Sequence, residues 1–409
     1  MRALPESLAV LRERDFRLLF GAQAVSVFGD RMVAVALAFA VLELGGSASD
    51  VGLVLAARTL PLVACLLVGG VAGDRLSPRT VMVVSDLVRL ASQGGLAALL
   101  ILGSPELWVV AVLSAVTGAA TGFFNPASTG LLPAIVAPER LQEANGLRAT
   151  AMAAGEIVGP LVAGVLVAAA GAGWALAVDA ATFGASALLL VRLRLPARAA
   201  RAAASFLGDL RGGWDAFRAR TWVWTYVACA AFGNVLWGAW SVLGPVAAAR
   251  DLGGAAAWGG ILAAMGVGAL AGAVLAIRTR PRRPLVTATL AVAVMAAPLA
   301  LLAAGAPVAL VALGAALAGA GLFLGNAVWE ATLQRHVPVE SLSRVSAYDW
   351  FGSLAFQPVG MAIWGPISVA VGIGASLWLA FALFVASTLA LLAVPDIRRL
   401  RGAAALISP

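Results

Sequence analysis

The sequence predicts an all-α polytopic membrane protein whose twelve transmembrane helices form two pseudo-symmetric bundles of six. Three observations predict this class. Of the 409 residues, 62% are apolar and only 12% are charged; the apolar residues fall into runs long enough to cross a bilayer; and the second half of the chain repeats features of the first. Because about 20 apolar residues span a bilayer as a helix, this composition leaves almost nothing for a soluble domain and excludes a receptor with a large ectodomain.

The apolar runs, which are bounded by charged residues, glycine or proline, place the spans in order along the chain. The first six lie at about 16–42, 50–72, 80–102, 106–128, 146–170 and 174–192. The last six lie at about 221–248, 258–277, 285–304, 307–331, 344–370 and 375–394. We therefore expect an N-terminal bundle at 1–192, a cytoplasmic linker at 193–220, a C-terminal bundle at 221–394 and a cytoplasmic tail at 395–409.

The linker carries an amphipathic pattern. Phe206, Leu210, Trp214 and Phe217 share one face of a short helix, and charged residues take the opposite face. This pattern predicts an interfacial helix that lies on the membrane surface and connects the two bundles.

The distribution of basic residues predicts the orientation of the spans. All 28 basic residues are arginine, since the chain contains no lysine. With a cytoplasmic N-terminus, 23 arginines fall in cytoplasmic segments, four within spans and one, Arg250, outside. Cytoplasmic loops carry the excess of basic residues, so we expect both termini in the cytoplasm. The lysine-free, Arg-rich composition suggests a bacterial inner (plasma) membrane, and the net charge of +8 reflects topology, not nucleic-acid binding.

An internal repeat relates the two halves. At an offset of about 201 residues, Asn125 aligns with Asn326 and Glu156 aligns with Gln357. Two homologous six-helix halves are typical of transporters, whose substrate site lies near the midplane between the repeats.

The residues that would support other functions are scarce. Cys65 and Cys229 lie in apolar runs, and the single His336 has no metal-ligand partner near it in the sequence, so we expect no disulfide framework, metal site or cofactor. A phosphate-binding loop that ends in Lys-Ser/Thr cannot occur without lysine. We expect neither ATP hydrolysis by this chain nor enzymatic activity.

Two segments resemble signatures of the major facilitator superfamily. The loop after the second span reads Gly70-Val-Ala-Gly-Asp74-Arg75-Leu-Ser-Pro-Arg79, which resembles the superfamily's loop 2–3 signature. The fifth span reads Gly155-Glu-Ile-Val-Gly159-Pro160-Leu-Val-Ala-Gly164, which resembles its antiporter signature. The sequences Phe28-Gly29-Asp30, Arg58-Thr-Leu-Pro61 and Asp86-Leu-Val-Arg89 further resemble the enterobactin-exporter and macrolide-efflux branch. Ala115 departs from the fourth-span arginine of many drug/proton antiporters, so a proton-coupling scheme based on that arginine cannot be carried over.

The resemblance implies a secondary active transporter that works as a monomer in the lipid bilayer. It implies export of an amphiphilic small molecule, such as a drug, an antibiotic or a siderophore, by proton antiport with alternating access. An importer or facilitator of a small solute, a lipid-handling transporter, and a non-transporting membrane sensor are the alternatives, because one fold serves several functions.

Two acidic residues within spans are the candidates for proton coupling, since an ionisable group in a membrane is costly unless it is paired or faces water. Asp30 lies near the middle of the first span. It is either a proton-titrating carboxylate or one member of an ion pair with Arg58 or Arg89, and the adjacent Arg31 is a third possible partner. Glu156 lies in the fifth span, and its repeat equivalent, Gln357, lacks the charge.

The loop signature implies a cytoplasmic latch. The resemblance implies that Asp74 accepts hydrogen bonds from the N-terminal end of the eleventh span, where a helix favours an anion. It implies further that Arg75 or Arg79 pairs with Glu330 or Asp349. The alternative is that these arginines serve only as positive-inside charges.

The remaining candidates are predicted to line a mixed aromatic and polar cavity, which suits a bulky amphiphile better than a sugar. They are Gln23, Arg58, Phe124, Asn125 and Met152 from the first half and Asn234, Trp237, Asn326, Trp329 and Gln357 from the second. Arg58 either contacts an anionic group of a substrate or pairs with Asp30. For each aromatic residue, packing is the alternative to a role in the site.

Overall fold

The structure, a computed structural model, describes residues 10–75, 77–194, 214–215 and 217–401; within these ranges the side chains at 67–75, 130, 133–134, 138, 339–340, 343–344 and 347 are outside the description. All regular structure in these ranges is helical. The first half contains α1 (Arg14–Glu43), α2 (Ala48–Arg75), α3 (Pro78–Leu102), α4 (Leu107–Ile135), α5 (Leu141–Ala170) and α6 (Ala172–Val191). The second half contains α7 (Thr221–Ala247), α8 (Gly254–Arg278), α9 (Pro284–Ala293), α10 (Ala296–Ala303), α11 (Val308–His336), α12 (Val339–Leu354), α13 (Gln357–Val371), α14 (Ile373–Ala393) and α15 (Pro395–Arg399).

Within the described ranges, twelve helical segments are long and apolar enough to cross a membrane, which confirms the predicted fold class. Most ends lie within a few residues of the predicted ends. The largest extension is at α4, which continues to Ile135. Large apolar side chains such as Leu102, Ile277 and Val369 are more than 70% exposed, as expected for helix faces that contact lipid.

Two of the predicted spans are divided into two helices each. The ninth consists of α9 and α10, which separate at 294–295, and the eleventh consists of α12 and α13, which separate at 355–356. Pro298 and Pro358 lie just after these breaks. Because proline has no amide hydrogen, each removes the donor that would bond the carbonyl four residues earlier. Both segments still match the predicted spans, since Pro284–Ala303 and Tyr348–Val371 are each long and apolar enough to cross a membrane.

The chain forms two compact units. One comprises Met1–Arg201 with Gly254–Gly259, and the other comprises Ala202–Gly253 and Gly260–Pro409. The division after Arg201 falls inside the predicted linker. Of the predicted interfacial helix, Phe206 and Leu210 lie outside the described residues. The other two members, Trp214 and Phe217, stack at 5.7 Å between ring centroids, and both pack on Tyr348.

The first unit packs its helices so that mid-span side chains of four helices meet. Helix α1 packs on α5 and α6, α3 packs on α4 and α6, and α2 packs on α4. The close approach of α2 and α4 depends on Gly118, because a Cβ atom there would overlap with the backbone carbonyl of Arg58. Small residues at helix contacts are the usual means of close packing within a membrane.

In the second unit, α7 packs on α13 and α14, and α9 packs on α11. Trp364 of α13 is only 2% exposed, and its indole Nε1 donates to the carbonyl oxygen of Val235 on α7 at 2.7 Å. A second aromatic contact joins α7 to α11, where the rings of Tyr226 and Trp329 stack at 4.0 Å between centroids. These contacts position the walls of the cavity described below.

Candidate functional site

Charged side chains from α1, α2 and α3 meet in the interior of the first unit. Asp30 of α1 accepts a hydrogen bond at 3.2 Å from Nη2 of Arg58 on α2 and one at 3.4 Å from Nη1 of Arg89 on α3. Arg89 also pairs with Asp86, one helical turn earlier on α3. Asp86 and Arg89 are fully buried, whereas the side chain of Asp30 is 24% exposed. Because a buried ion is costly without a partner, these mutual contacts are what permits four charges in the interior.

Two aromatic rings complete the surroundings of Arg89. Its guanidinium carbon lies 4.2 Å from the ring centroid of Phe124 on α4 and 4.2 Å from that of Phe183 on α6. A guanidinium over an aromatic face is attracted by the ring quadrupole. Arg89 therefore has favourable contacts on several sides and is fixed between α1, α4 and α6.

A third buried acid, Asp179 of α6, lies beside these groups. Its Oδ2 accepts a hydrogen bond at 2.9 Å from Nε2 of Gln93 on α3. Its Oδ1 lies against Gly29, the neighbour of Asp30 on α1, where a Cβ atom would overlap with it. Asp179 is fully buried. We refer to Asp30, Arg58, Asp86, Arg89 and Asp179 as the acid–arginine cluster.

Glu156 lies apart from that cluster. Its Oε1 contacts Nη2 of Arg31 at 3.0 Å, and the two side chains are 34% and 39% exposed respectively. The pair joins α5 to α1 at a point where Gly159 of α5 packs on the Cβ atom of Arg31. Glu156 therefore has both a cationic partner and access to the surface of the unit.

The sequence left open three partners for Asp30, and the structure pairs it with two of them, Arg58 and Arg89. The third, Arg31, pairs with Glu156 instead. Asp179 is a functional candidate that sequence reasoning missed. The signal was available, because a carboxylate in the middle of an apolar span needs the same justification as Asp30.

The other first-half candidates for a substrate cavity do not gather in one place. Gln23 is buried, and within the described residues neither of its side-chain amide atoms has a hydrogen-bond partner. Phe124 is buried beneath Arg89, which is the packing role left open for each aromatic residue. Asn125 and Met152 are exposed. Arg58 contacts Asp30, the second of the two roles considered for it.

The second-half candidates do meet. A cavity of about 390 Å³ lies inside the second unit, between α7, α9, α11, α12, α13 and α14. All five predicted second-half residues line it: Asn234, Trp237, Asn326, Trp329 and Gln357. Tyr226, Trp350 and Phe384 add further aromatic surface. A volume of this size accommodates a small organic molecule.

The charged groups of this cavity are all acidic. Glu330 and Asp349 line it, and among the described residues of the lining there is no arginine or histidine. Nε1 of Trp329 donates to Oδ2 of Asp349 at 2.9 Å, which fixes that carboxylate at the wall. Both acids were predicted as latch residues, and both belong to this cavity wall.

Of the three loop residues of the predicted latch, only Arg79 has a described side chain. It donates from Nε to the carbonyl oxygen of Leu190 at 3.2 Å and from Nη2 to that of Val191. These carbonyls end α6, where an arginine both satisfies free acceptors and favours the helix dipole. The sequence did not predict this contact. The side chains of Asp74 and Arg75 lie outside the described residues.

Curated relatives match part of the chain. It is 33% identical over 184 residues to the multidrug efflux pump Tap of Mycolicibacterium fortuitum, a match that covers 44% of each chain. It is 30% identical over 186 residues to the enterobactin exporter EntS of Citrobacter koseri, which covers 44% of this chain and 43% of the exporter. The matched segment thus spans less than half the length of these relatives.

Solved structures match the fold over nearly the whole chain. A peptide transporter POT in complex with sulfate superposes with a TM-score of 0.76 at 13% identity, covering 95% of this chain and 96% of the other. A bacterial homologue of the human lysosomal transporter Spinster gives 0.74 at 13% identity, covering 96% and 99%. The family model of the Major Facilitator Superfamily matches residues 19–355. Because this match covers more than half of the chain, the chain belongs to the Major Facilitator Superfamily, a family of membrane transporters.

Proposed function

We propose that the protein exports an amphiphilic small molecule that carries a positive charge, and that protons moving inward drive this export. The observation that carries the proposal is the cavity of the second unit, whose wall combines aromatic rings with two carboxylates and, among the described residues, no basic group. The names of the relatives Tap and EntS, an efflux pump and an exporter, support the direction.

The aromatic wall accounts for the apolar part of such a substrate. Tyr226 and Trp329 present a stacked pair of rings at 4.0 Å, and Trp237 stacks on Trp240 at 5.4 Å. Flat aromatic faces contribute large contact areas and attract cations electrostatically. A sugar or a small polar solute would instead need a denser set of hydrogen-bonding groups.

The two carboxylates account for the positive charge. Glu330 is exposed, and Asp349 is held by the indole of Trp329. Charges of one sign in a cleft with apolar walls concentrate ligands of the opposite charge. An anionic substrate would be repelled from the same wall.

Proton coupling is assigned to acids of the first unit, namely Asp30 and Glu156. In the proposed cycle, one of them binds a proton from outside as the substrate leaves and releases it to the cytoplasm as the transporter returns. A proton shifts the balance between two conformations only by its difference in affinity for them. The proposal includes a monomer in a bacterial plasma membrane with both termini in the cytoplasm. An importer or facilitator is the alternative if neither acid titrates.

The test is an accumulation assay in efflux-deficient bacteria that express the protein. Ethidium supplies a fluorescent aromatic cation, and fluorescein supplies an aromatic anion of similar size. We expect lower accumulation of ethidium than in cells without the protein, no effect on fluorescein, and loss of the difference when a protonophore is added. Equal accumulation of ethidium with and without the protein, once its presence in the membrane is established, would contradict the proposal.

Variants locate the substrate site in the same assay. Glu330→Gln and Asp349→Asn each remove one negative charge, and we expect each to weaken ethidium export about tenfold, since a charged contact contributes about 1.5 kcal/mol. Asp396→Asn is the matched control, because Asp396 is exposed on α15 and does not line the cavity. Equal losses in all three variants would show that the cavity is not the substrate site.

A further inference from the structure

We propose that Asp179 of α6 is a proton-binding site, that it holds a proton in the conformation described here, and that it exchanges this proton with Asp30. The inference rests on proton coupling as proposed above, and it names a residue outside both coupling candidates. Two observations support the inference: the charge balance of the acid–arginine cluster, and the burial and contacts of Asp179.

The cluster contains more acids than bases. Asp30, Asp86 and Asp179 supply three carboxylates, and Arg58 and Arg89 supply two guanidinium groups. With every group ionised, the cluster would carry a net charge of −1 in the interior of the unit. A single proton on one carboxylate makes it neutral, and an interior of low polarity strongly favours neutrality.

The ion pairs indicate which acid carries the proton. Asp30 contacts Arg58 and Arg89, and Asp86 contacts Arg89. Among the described residues, no arginine nitrogen lies within 4 Å of Asp179. Asp30 and Asp86 thus each have a guanidinium group in direct contact, and Asp179 does not.

The hydrogen bonds of Asp179 fit a carboxylic acid better than a carboxylate. A buried carboxylate usually accepts several hydrogen bonds, because each oxygen has two lone pairs. Asp179 accepts one, from the neutral amide of Gln93 at 2.9 Å, and within the described residues its Oδ1 has no donor. Oδ2 of Asp86 also has no donor among these residues, but the other oxygen of Asp86 pairs with the cationic Arg89. A fully buried carboxylate with one donor would be poorly stabilised, whereas a neutral acid has far less charge to satisfy.

Gly29 places this acid beside a group that is more accessible. Since Gly29 has no side chain, Oδ1 of Asp179 approaches the backbone of α1 next to Asp30. Asp30 is 24% exposed, whereas Asp179 is fully buried. The charged groups that act on Asp179 from other helices are Asp30 on α1, Arg58 on α2 and Arg89 on α3, and Asp86 pairs with Arg89 on α3.

The exchange step balances without any further reactant. The O–H bond of Asp179 breaks, an O–H bond forms on Asp30, and the net charge of the cluster does not change. Protonated Asp30 no longer attracts Arg58 and Arg89 as an anion, so the contacts that join α1 to α2 and α3 weaken. Proton transfer thereby changes the helix contacts of the first unit, which is what coupling to a conformational change requires.

Infrared difference spectroscopy of the purified full-length protein tests the proposal directly. We expect the wild type at neutral pH to show the carbonyl stretch of a buried protonated carboxyl group, Asp179→Asn to lose that band, and Asp86→Glu to keep it at an unchanged frequency. Asp86→Glu is the matched control, because Asp86 is equally buried in the same cluster and glutamate leaves the number of carboxylates in the cluster unchanged. Absence of the band in the wild type, its persistence in Asp179→Asn, or a shift of its frequency in Asp86→Glu would overturn the proposal.

Folding and transport are measured in experiments separate from the infrared spectroscopy. Asparagine has the shape of a neutral aspartic acid, so we expect Asp179→Asn to remain folded by size-exclusion chromatography and to have a melting temperature close to that of the wild type. If Asp179→Asn fails to fold, Asp179→Glu is measured in its place. If residue 179 carries the proton, we expect the band in this variant at a shifted frequency. An unshifted band would overturn the proposal. If the wild type exports no ethidium, the function proposed above fails, and the infrared result still decides whether Asp179 binds a proton.

Discussion

Arg31 on α1 and Glu156 on α5 form an ion pair at 3.0 Å, and both side chains are about a third or more exposed, at 39% and 34%. Exposed ion pairs contribute little because water screens the attraction. We expect a double-mutant cycle of Arg31→Gln and Glu156→Gln, measured by thermal unfolding in detergent, to give a coupling energy of about 0.2–1 kcal/mol. A coupling energy above about 3 kcal/mol would show that the pair behaves as a buried one.

The same pair separates the structural role of Glu156 from its proposed role in coupling. If Glu156 binds the transported proton, Glu156→Gln lowers protonophore-sensitive export and has little effect on stability. Asp251→Asn is a suitable control, because Asp251 is also an exposed acid close to a helix end. Unchanged export by Glu156→Gln would remove Glu156 from the coupling candidates.

Arg89 differs from Arg31 because its charge is buried, so its removal should cost more stability. It is fully buried between two carboxylates and two aromatic rings. Removing one partner of a buried charge network leaves the others unpaired, so we expect Arg89→Leu to destabilise the protein by about 3–5 kcal/mol. Arg140→Gln breaks an exposed pair with Glu13 and is expected to cost at most about 1 kcal/mol. Thermal unfolding in the same detergent compares them, and equal costs would contradict the buried network.

Gly29 gives a third prediction, which tests the approach of α6 to α1. In Gly29→Ala the added Cβ atom would overlap with side-chain oxygens of Thr182 and Asp179, so we expect a loss of about 1–3 kcal/mol from overpacking. Gly95→Ala is the control, since a Cβ atom at 95 would meet no atom of another helix within 4 Å and alanine favours a helix by up to about 1 kcal/mol. A stable Gly29→Ala would show that α1 and α6 are further apart than described.

Hydropathy predicted the twelve spans because each span can be recognised from the composition of one continuous segment. The breaks at 294–295 and 355–356 were not predicted, although Pro298 and Pro358 are visible in the sequence. Prolines also occur within unbroken helices here, as Pro61 does in α2. Whether a proline ends a helix or is tolerated inside it depends on the neighbouring helices.

The two halves of the candidate site differ in how much the sequence revealed. The polar residues of the second half repeat at helical spacing, so their common face was predictable, and five of them line one cavity. In the first half, Asp30 contacts Arg58 and Arg89 across separations of 28 and 59 residues. Such contacts depend on helix packing that a periodic pattern does not specify. The position of Asp179 within an apolar span was visible in the sequence, but its proximity to Asp30 was not.

The indole of Trp329 makes two contacts that a substitution can separate, one through its ring and one through its N–H group. Its ring stacks on Tyr226 at 4.0 Å, and its Nε1 donates to Asp349 at 2.9 Å. Trp329→Phe keeps a ring and removes the donor. Since a hydrogen bond to a charged group contributes about 1.5–3 kcal/mol, we expect ethidium to bind purified Trp329→Phe about tenfold or more weakly, as measured by fluorescence titration.

Trp378→Phe is the control for this variant, because Trp378 is exposed on α14 and does not line the cavity. If loss of the donor misplaces Asp349, the combination of Trp329→Phe with Asp349→Asn should bind ethidium no more weakly than Asp349→Asn alone, because residues that act through one contact are not additive. Additive losses in the double variant would mean that Trp329 contacts the ligand independently of the carboxylate. Unchanged binding by Trp329→Phe alone would mean that Asp349 does not need the indole to hold its position.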